Sequence, residues 1–89
     1  MNKLSCIIIE DEPLAASRLK EFISKRSELI LVGTFIDGLE ALSYLSKREI
    51  DLVFLDINIG GISGIELLEK SKKKFRVIIT TAYSEYALK

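Results

Sequence analysis

No histidine occurs anywhere in the 89 residues. That removes the usual general base and the commonest metal ligand. A metal site in this chain must be built from oxygen, which selects hard cations such as Mg²⁺, Ca²⁺ or Mn²⁺. The one cysteine, Cys6, has no partner for an internal disulfide, and its place in an apolar run predicts a buried, inert thiol. Neither sign of charge is in excess: 13 Lys and Arg offset 13 Asp and Glu. A nucleic-acid surface calls for a basic surplus, so the balance argues against one in this segment. No apolar run approaches the ~20 residues of a membrane span. Residues 1–4 lead directly into a strand-like run and show no secretory leader. These absences predict a cytoplasmic protein. Repeats, low-complexity tracts and linker-like stretches are missing too, and the length predicts one small domain over 1–89.

What is present alternates between two kinds of segment. "LSCIII" (4–9), "LILVGTFI" (29–36), "IDLVFLD" (50–56) and "RVIIT" (76–80) are short and rich in Ile, Val and Leu. Each suits a strand buried on both faces, as in a parallel sheet. Between them the apolar period is helical. Ala15, Leu19, Phe22 and Ile23 mark one stripe; Leu39, Leu42 and Leu45, with Ala41 beside them, mark a second; Ile65, Leu67 and Leu68 mark a third. Pro13 fits a first helical turn that follows the acidic Asp11 and Glu12. Asp37 with Glu40, and Ser63 with Glu66, read as capping boxes, and Ser84 could cap a fourth helix. The predicted order is β-α-β-α-β-α-β-α. Right-handed crossovers then place helices on both faces of a parallel sheet, giving a doubly wound α/β fold. Such folds bind ligands at the carboxyl ends of their strands.

Acidic residues stand at those ends. "FLDINIGGISG" (54–64) drives a hydrophobic strand into Asp56, then turns glycine-rich at Gly60, Gly61 and Gly64. Glu10 and Asp11 end the first strand. If the first and third strands are neighbours, three carboxylates converge on one crevice. Like charges that close repel, and burial raises their pKa values; a divalent cation relieves both. A carboxylate can also act as a nucleophile and form an acyl phosphate, and small residues around Asp56 leave room for the added group. Thr80 and Thr81 end the fourth strand and offer hydroxyls, followed by the small Ala82. Each feature has a plainer reading when taken alone. An acidic pair before a helix can be only its cap, Asp56 only a loop residue, and two threonines only β-formers.

Together, "CIIIEDEPLA", "DLVFLDINIGGISGIELL" and "VIITTAY", in this order and at these separations, resemble the receiver domain of two-component response regulators. The tail "TTAYSEYALK" looks most like receivers joined to LytTR-type DNA-binding domains. The resemblance implies a flavodoxin-like sheet of order 2-1-3-4, here without the family's fifth strand and helix. By motif position, Asp56 would be the phosphoacceptor and Asp11 would bind Mg²⁺ directly. Glu10 would stand where the family has the first aspartate of its acidic pair. Asn58 would offer its backbone carbonyl to the metal, and Thr81 would be the switch hydroxyl. Gly64 matches a family glycine eight residues after the acceptor. A sensor histidine kinase would supply the phosphoryl group, docking on the first helix, from about Pro13 to Arg26. An output domain, DNA-binding by this resemblance, would respond.

Three departures from the family pattern stand out. Glu10 is one methylene longer than Asp, and Gly60 replaces the usual proline, which loosens the loop. The family lysine that pairs with the phosphoryl group has no counterpart, Lys89 being too early. A fourth strand left at the sheet edge predicts association of two chains through it. Three other readings compete. Aspartate-nucleophile phosphatases need an acid two residues after the acceptor, where Asn58 stands. A flavodoxin-type phosphate loop would not read "EDEPLA" after the first strand. A degenerate receiver would only mediate protein contacts, and phosphorylation by a small-molecule donor separates it from a working one.

Overall fold

The structure, a computed structural model, describes residues 3–56 and 75–80. Within them the order is β1 (Leu4–Ile9), α1 (Pro13–Ser24), β2 (Leu29–Phe35), α2 (Gly38–Lys47), β3 (Leu52–Asp56) and β4 (Arg76–Thr80). All pairings are parallel, and the sheet runs β2-β1-β3-β4. The doubly wound α/β expectation and its strand order are met. Expectations on the third helix (Ile65, Leu67, Leu68 and the Ser63–Glu66 box), on Gly60, Gly61 and Gly64, and on Ser84 fall outside the described residues.

The two central strands explain their own composition. β1 has Cys6, Ile7, Ile8 and Ile9 fully buried, and every residue of β3 is buried. Alternate side chains enter two separate cores, one on each face. On one face Cys6, Ile8, Leu52 and Phe54 pack with Ile23 and Leu19 of α1. On the other, Ile7, Ile9, Val53 and Leu55 pack with Ala41 and Leu45 of α2. A strand covered on both sides has no polar face to alternate with, hence the unbroken apolar runs. Cys6 is fully enclosed, and burial pushes its thiol pKa up, so it is the inert core residue expected.

Burial on both faces fails for β2 and β4. β2 lies at the edge and alternates half-buried with exposed residues, Ile30 and Val32 both being exposed. In β4, Val77 is half-buried and Ile78 exposed. β2 also carries an irregularity: Cys6 pairs with Leu31 and Ile7 with Gly33, so Val32 is an extra residue, a bulge. The bulge lets Leu29 and Leu31 join the α1-side core while Phe35 joins the α2-side core. Gly33 lets the Phe35 ring approach closely: a Cβ there would stand 3.1 Å from it, so the ring would have to shift slightly to admit one. That ring packs on Tyr44 of α2 at 5.0 Å.

The helical stripes largely match the expected ones: Ala15, Leu19 and Ile23 in α1 and Ala41, Leu42 and Leu45 in α2 are buried or half-buried, and the exceptions are Phe22 and Leu39. Phe22 is exposed, about 100° around the helix from the buried Ile23, and its ring lies under the Arg26 guanidinium, 5.0 Å away. In α2 the buried line is Gly38, Ala41 and Leu45; Leu39, in the first turn, is exposed. Pro13 does stand at the start of α1, so the residue before it, Glu12, is the cap: its Oε1 accepts the Leu14 N–H at 3.2 Å. Asp37 caps α2 through the Leu39 N–H at 2.8 Å. At the amino-terminal end of the sheet Asp51 latches β1 to β3. Its Oδ2 accepts from the Ser5 N–H at 2.9 Å and the Ser5 hydroxyl at 3.2 Å.

Candidate functional site

The carboxyl ends of β1 and β3 hold the acidic residues, and the register of the sheet decides their proximity. Ile9 pairs with Leu55, so the next residues, Glu10 and Asp56, emerge side by side. The Glu10 N–H donates to the Phe35 carbonyl at 2.9 Å, which holds that end of the chain against β2 as well. Asp56 is paired with Thr80 on its other side, so the end of β4 reaches the same place. Carboxylate oxygens of Glu10, Asp11 and Asp56 lie within 4.8 Å of one another. The predicted convergence is therefore present for these three. Asn58 and Thr81 lie outside the described residues.

The three are not equivalent. Glu10 and Asp56 are buried and Asp11 is exposed. Glu10 Oε2 accepts the backbone N–H of Glu12 at 3.1 Å, whereas Oε1 is buried without a hydrogen-bond partner. Burial pushes the Glu10 carboxyl pKa up from 4.5 to about 7. The Glu12 N–H opposes the rise, while a proton shared with Asp56 and the charges of Asp56 and Asp11 add to it. When protonated, Glu10 can donate to Asp56. When ionised, its buried Oε1 has no donor to meet its charge. An orphaned buried acceptor among carboxylates is the environment a hard divalent cation satisfies, so these residues fit Mg²⁺.

The reading of the acidic pair as a helix cap is corrected. Neither Glu10 nor Asp11 caps α1; Glu12 does. Glu10 instead binds the N–H of the capping residue. Reasoning from sequence missed this contact, although Pro13 at the first helical position already marks Glu12 as the residue before the helix. Among the described residues no helix is long and apolar enough to cross a membrane.

Comparison with known proteins places the chain in a family. Residues 6–89 match the model of the response regulator receiver domain. Protein MrkE of Klebsiella pneumoniae is 40% identical over 90 residues, covering 97% of this chain and 33% of that protein. The transcriptional regulatory protein YpdB of Escherichia coli K12 is 40% identical over 89 residues, covering 96% of this chain and 36% of that protein. The chain thus spans about a third of the length of these relatives. Among solved structures, the response regulatory domain of MrkE superposes with a TM-score of 0.78 at 37% identity, covering 96% of this chain and 72% of that one. The receiver domain of the response regulator NarL from Mycobacterium tuberculosis reaches 0.83 at 23% identity, covering 99% and 73%, a likeness of fold.

Proposed function

The chain belongs to the response regulator receiver family, and from that premise we propose that it takes a phosphoryl group onto Asp56 and passes the change to an output domain. The observation that carries this is the meeting of Glu10, Asp11 and Asp56 within 4.8 Å, with a Glu10 oxygen buried and unpartnered. Asp56 is the acceptor because it ends the buried central strand β3 at the mouth of the crevice. Its carboxylate attacks phosphorus, the O–P bond forms, and the P–N bond of a kinase phosphohistidine breaks in line. Positioning supplies most of the catalysis in such a transfer. Glu10 and Asp11 would hold Mg²⁺ with Asp56 and the Asn58 backbone carbonyl, and the ion would offset the charge of the incoming group.

Thr81 is the hydroxyl that would hydrogen-bond the phosphoryl oxygens and report their arrival. The chain acts in signalling and not as a stand-alone enzyme. A sensor histidine kinase in the cytoplasm is its donor, docking on α1. Its output is DNA binding by a domain elsewhere in the protein, as the YpdB relative's description as a transcriptional regulatory protein supports.

Intact-mass spectrometry after incubation with acetyl phosphate and Mg²⁺ tests the reading. A gain of one phosphoryl group is expected, lost without the metal and lost in Asp56→Asn. If the chain gains nothing while its fold is intact by circular dichroism, phosphoacceptance is wrong, and a receiver that acts only through protein contacts takes its place.

A further inference from the structure

Glu10 is 2% exposed, and its two carboxylate oxygens have different surroundings. Oε2 is tied to the Glu12 N–H at 3.1 Å, and Oε1 has no partner. The donor itself is firmly placed. The Glu12 carbonyl accepts the Ala16 N–H at 3.0 Å in the first turn of α1, its side chain accepts from Leu14, and Pro13 follows it. The other end of the link is equally placed, because the Glu10 N–H is held by the Phe35 carbonyl. The side chain therefore spans from the end of β1 to the start of α1. Oε1 is the oxygen that carries no hydrogen bond of its own.

We propose that the Glu12 backbone N–H is a positioning group for divalent-cation binding: by holding Glu10 Oε2 it leaves Oε1 as the single oxygen that Glu10 offers the ion. The inference rests on the receiver reading above and goes beyond it by assigning a role to a residue outside the acidic trio. A long carboxylate anchored in this way enters the ion's coordination shell already oriented, so less rotamer freedom is lost on binding. It also joins the ion through one oxygen and keeps its link to α1 when the ion arrives.

Two substitutions separate the N–H from the side chain of the same residue. Glu12→Ala removes the helix cap and keeps the N–H. Glu12→Pro removes both; the backbone there is extended, with ψ of 114°, but its φ of −92° lies outside proline's usual range of about −65 ± 15°, so the ring also pulls on this turn. Mg²⁺ affinity is measured by isothermal titration calorimetry over a pH series carried well above 7, because losing the Glu12 N–H raises the Glu10 carboxyl further, and affinities are compared on the alkaline plateau where Glu10 is ionised in each protein. Glu12→Ala is expected to bind within about twofold of the unaltered protein, and Glu12→Pro about tenfold more weakly, the usual effect of losing a partner behind a metal ligand. Equal affinity of the two variants overturns the inference.

Amide hydrogen exchange on the unaltered protein needs no variant and decides the matter if Glu12→Pro does not fold. The Glu12 amide is expected to stay protected with and without Mg²⁺. Faster exchange on adding Mg²⁺ would mean that Oε2 had left for the ion, and the proposal would be wrong. If the unaltered protein binds no Mg²⁺, the receiver chemistry fails and this inference with it. Failure of the variant comparison alone leaves that chemistry standing.

Discussion

Glu10 departs from the ordinary behaviour of its carboxyl. Its carboxyl is raised to about 7 in the metal-free fold, against 4.5. Between these values the folded chain keeps a proton that the unfolded chain has released. Stability therefore falls as pH rises through that window, because the folded state binds more protons. The melting temperature of the metal-free protein should decline between about pH 4.5 and 7, at about 4–8 °C for each kcal/mol lost. Glu10→Gln, neutral at every pH, should flatten the decline. Saturating Mg²⁺ should also remove it, since the ion selects the ionised carboxylate. Thermal melts with chelator, with Mg²⁺ and with the variant check all of this. A Gln variant that declines as steeply as the unaltered protein would place the titrating group elsewhere.

At the scale of elements, two different ends of the sheet do different work. The carboxyl end collects the acids. The amino end carries the latch between Ser5 of β1 and Asp51, which immediately precedes β3, with bonds of 2.9 and 3.2 Å to Asp51 Oδ2. The latch holds the two central strands in the register that later sets Glu10 beside Asp56. It is solvent-exposed, so each bond contributes modestly. Asp51→Ala should cost about 1–2 kcal/mol. Ser5→Ala also removes two contacts, the hydroxyl's donation to Asp51 Oδ2 and its acceptance of the Asp51 N–H at 3.2 Å. It should cost less, because the Ser5 N–H keeps Oδ2 and the Asp51 N–H keeps the Ser5 carbonyl at 3.1 Å. Urea unfolding midpoints measure the difference. Equal losses for the two would show that the hydroxyl, and not the backbone N–H, carries the latch.

For the molecule as a whole, stability depends on two cores divided by one sheet. A chain of this length has a total of about 4–13 kcal/mol to lose. Ile8, fully buried on the α1 side, should cost about 2–5 kcal/mol when cut to alanine, enough to unfold a marginal domain. Ile78, on β4, the outermost described strand on its side of the sheet, and 44% exposed, should cost less than about 1 kcal/mol for the same change. Denaturant titration of the two variants reads the contrast directly. A comparable loss at Ile78 would mean that this strand is covered as β1 is.

Much of this was legible in the residue pattern. Four short Ile/Val/Leu runs separated by helical periods imply a parallel sheet, because only strands covered on both faces can do without alternation. The placing of Glu10, Asp11 and Asp56 at strand ends implies that carboxylates meet there, and their oxygens lie within 4.8 Å of one another. Pro13 marks the start of α1 because proline tolerates only the first turn. Tertiary structure decided the rest. Outer position among the described strands left Ile30, Val32 and Ile78 exposed although they read like core residues, since covering depends on neighbours and not on the side chain itself. The bulge at Val32 arises from pairing with β1, which no local propensity encodes. Packing likewise turned α2 so that Ala41, and not Leu39, meets the sheet. The split between the two oxygens of Glu10 needed the sheet register and the start of α1 to be in place together, because a hydrogen bond is a matter of position in space.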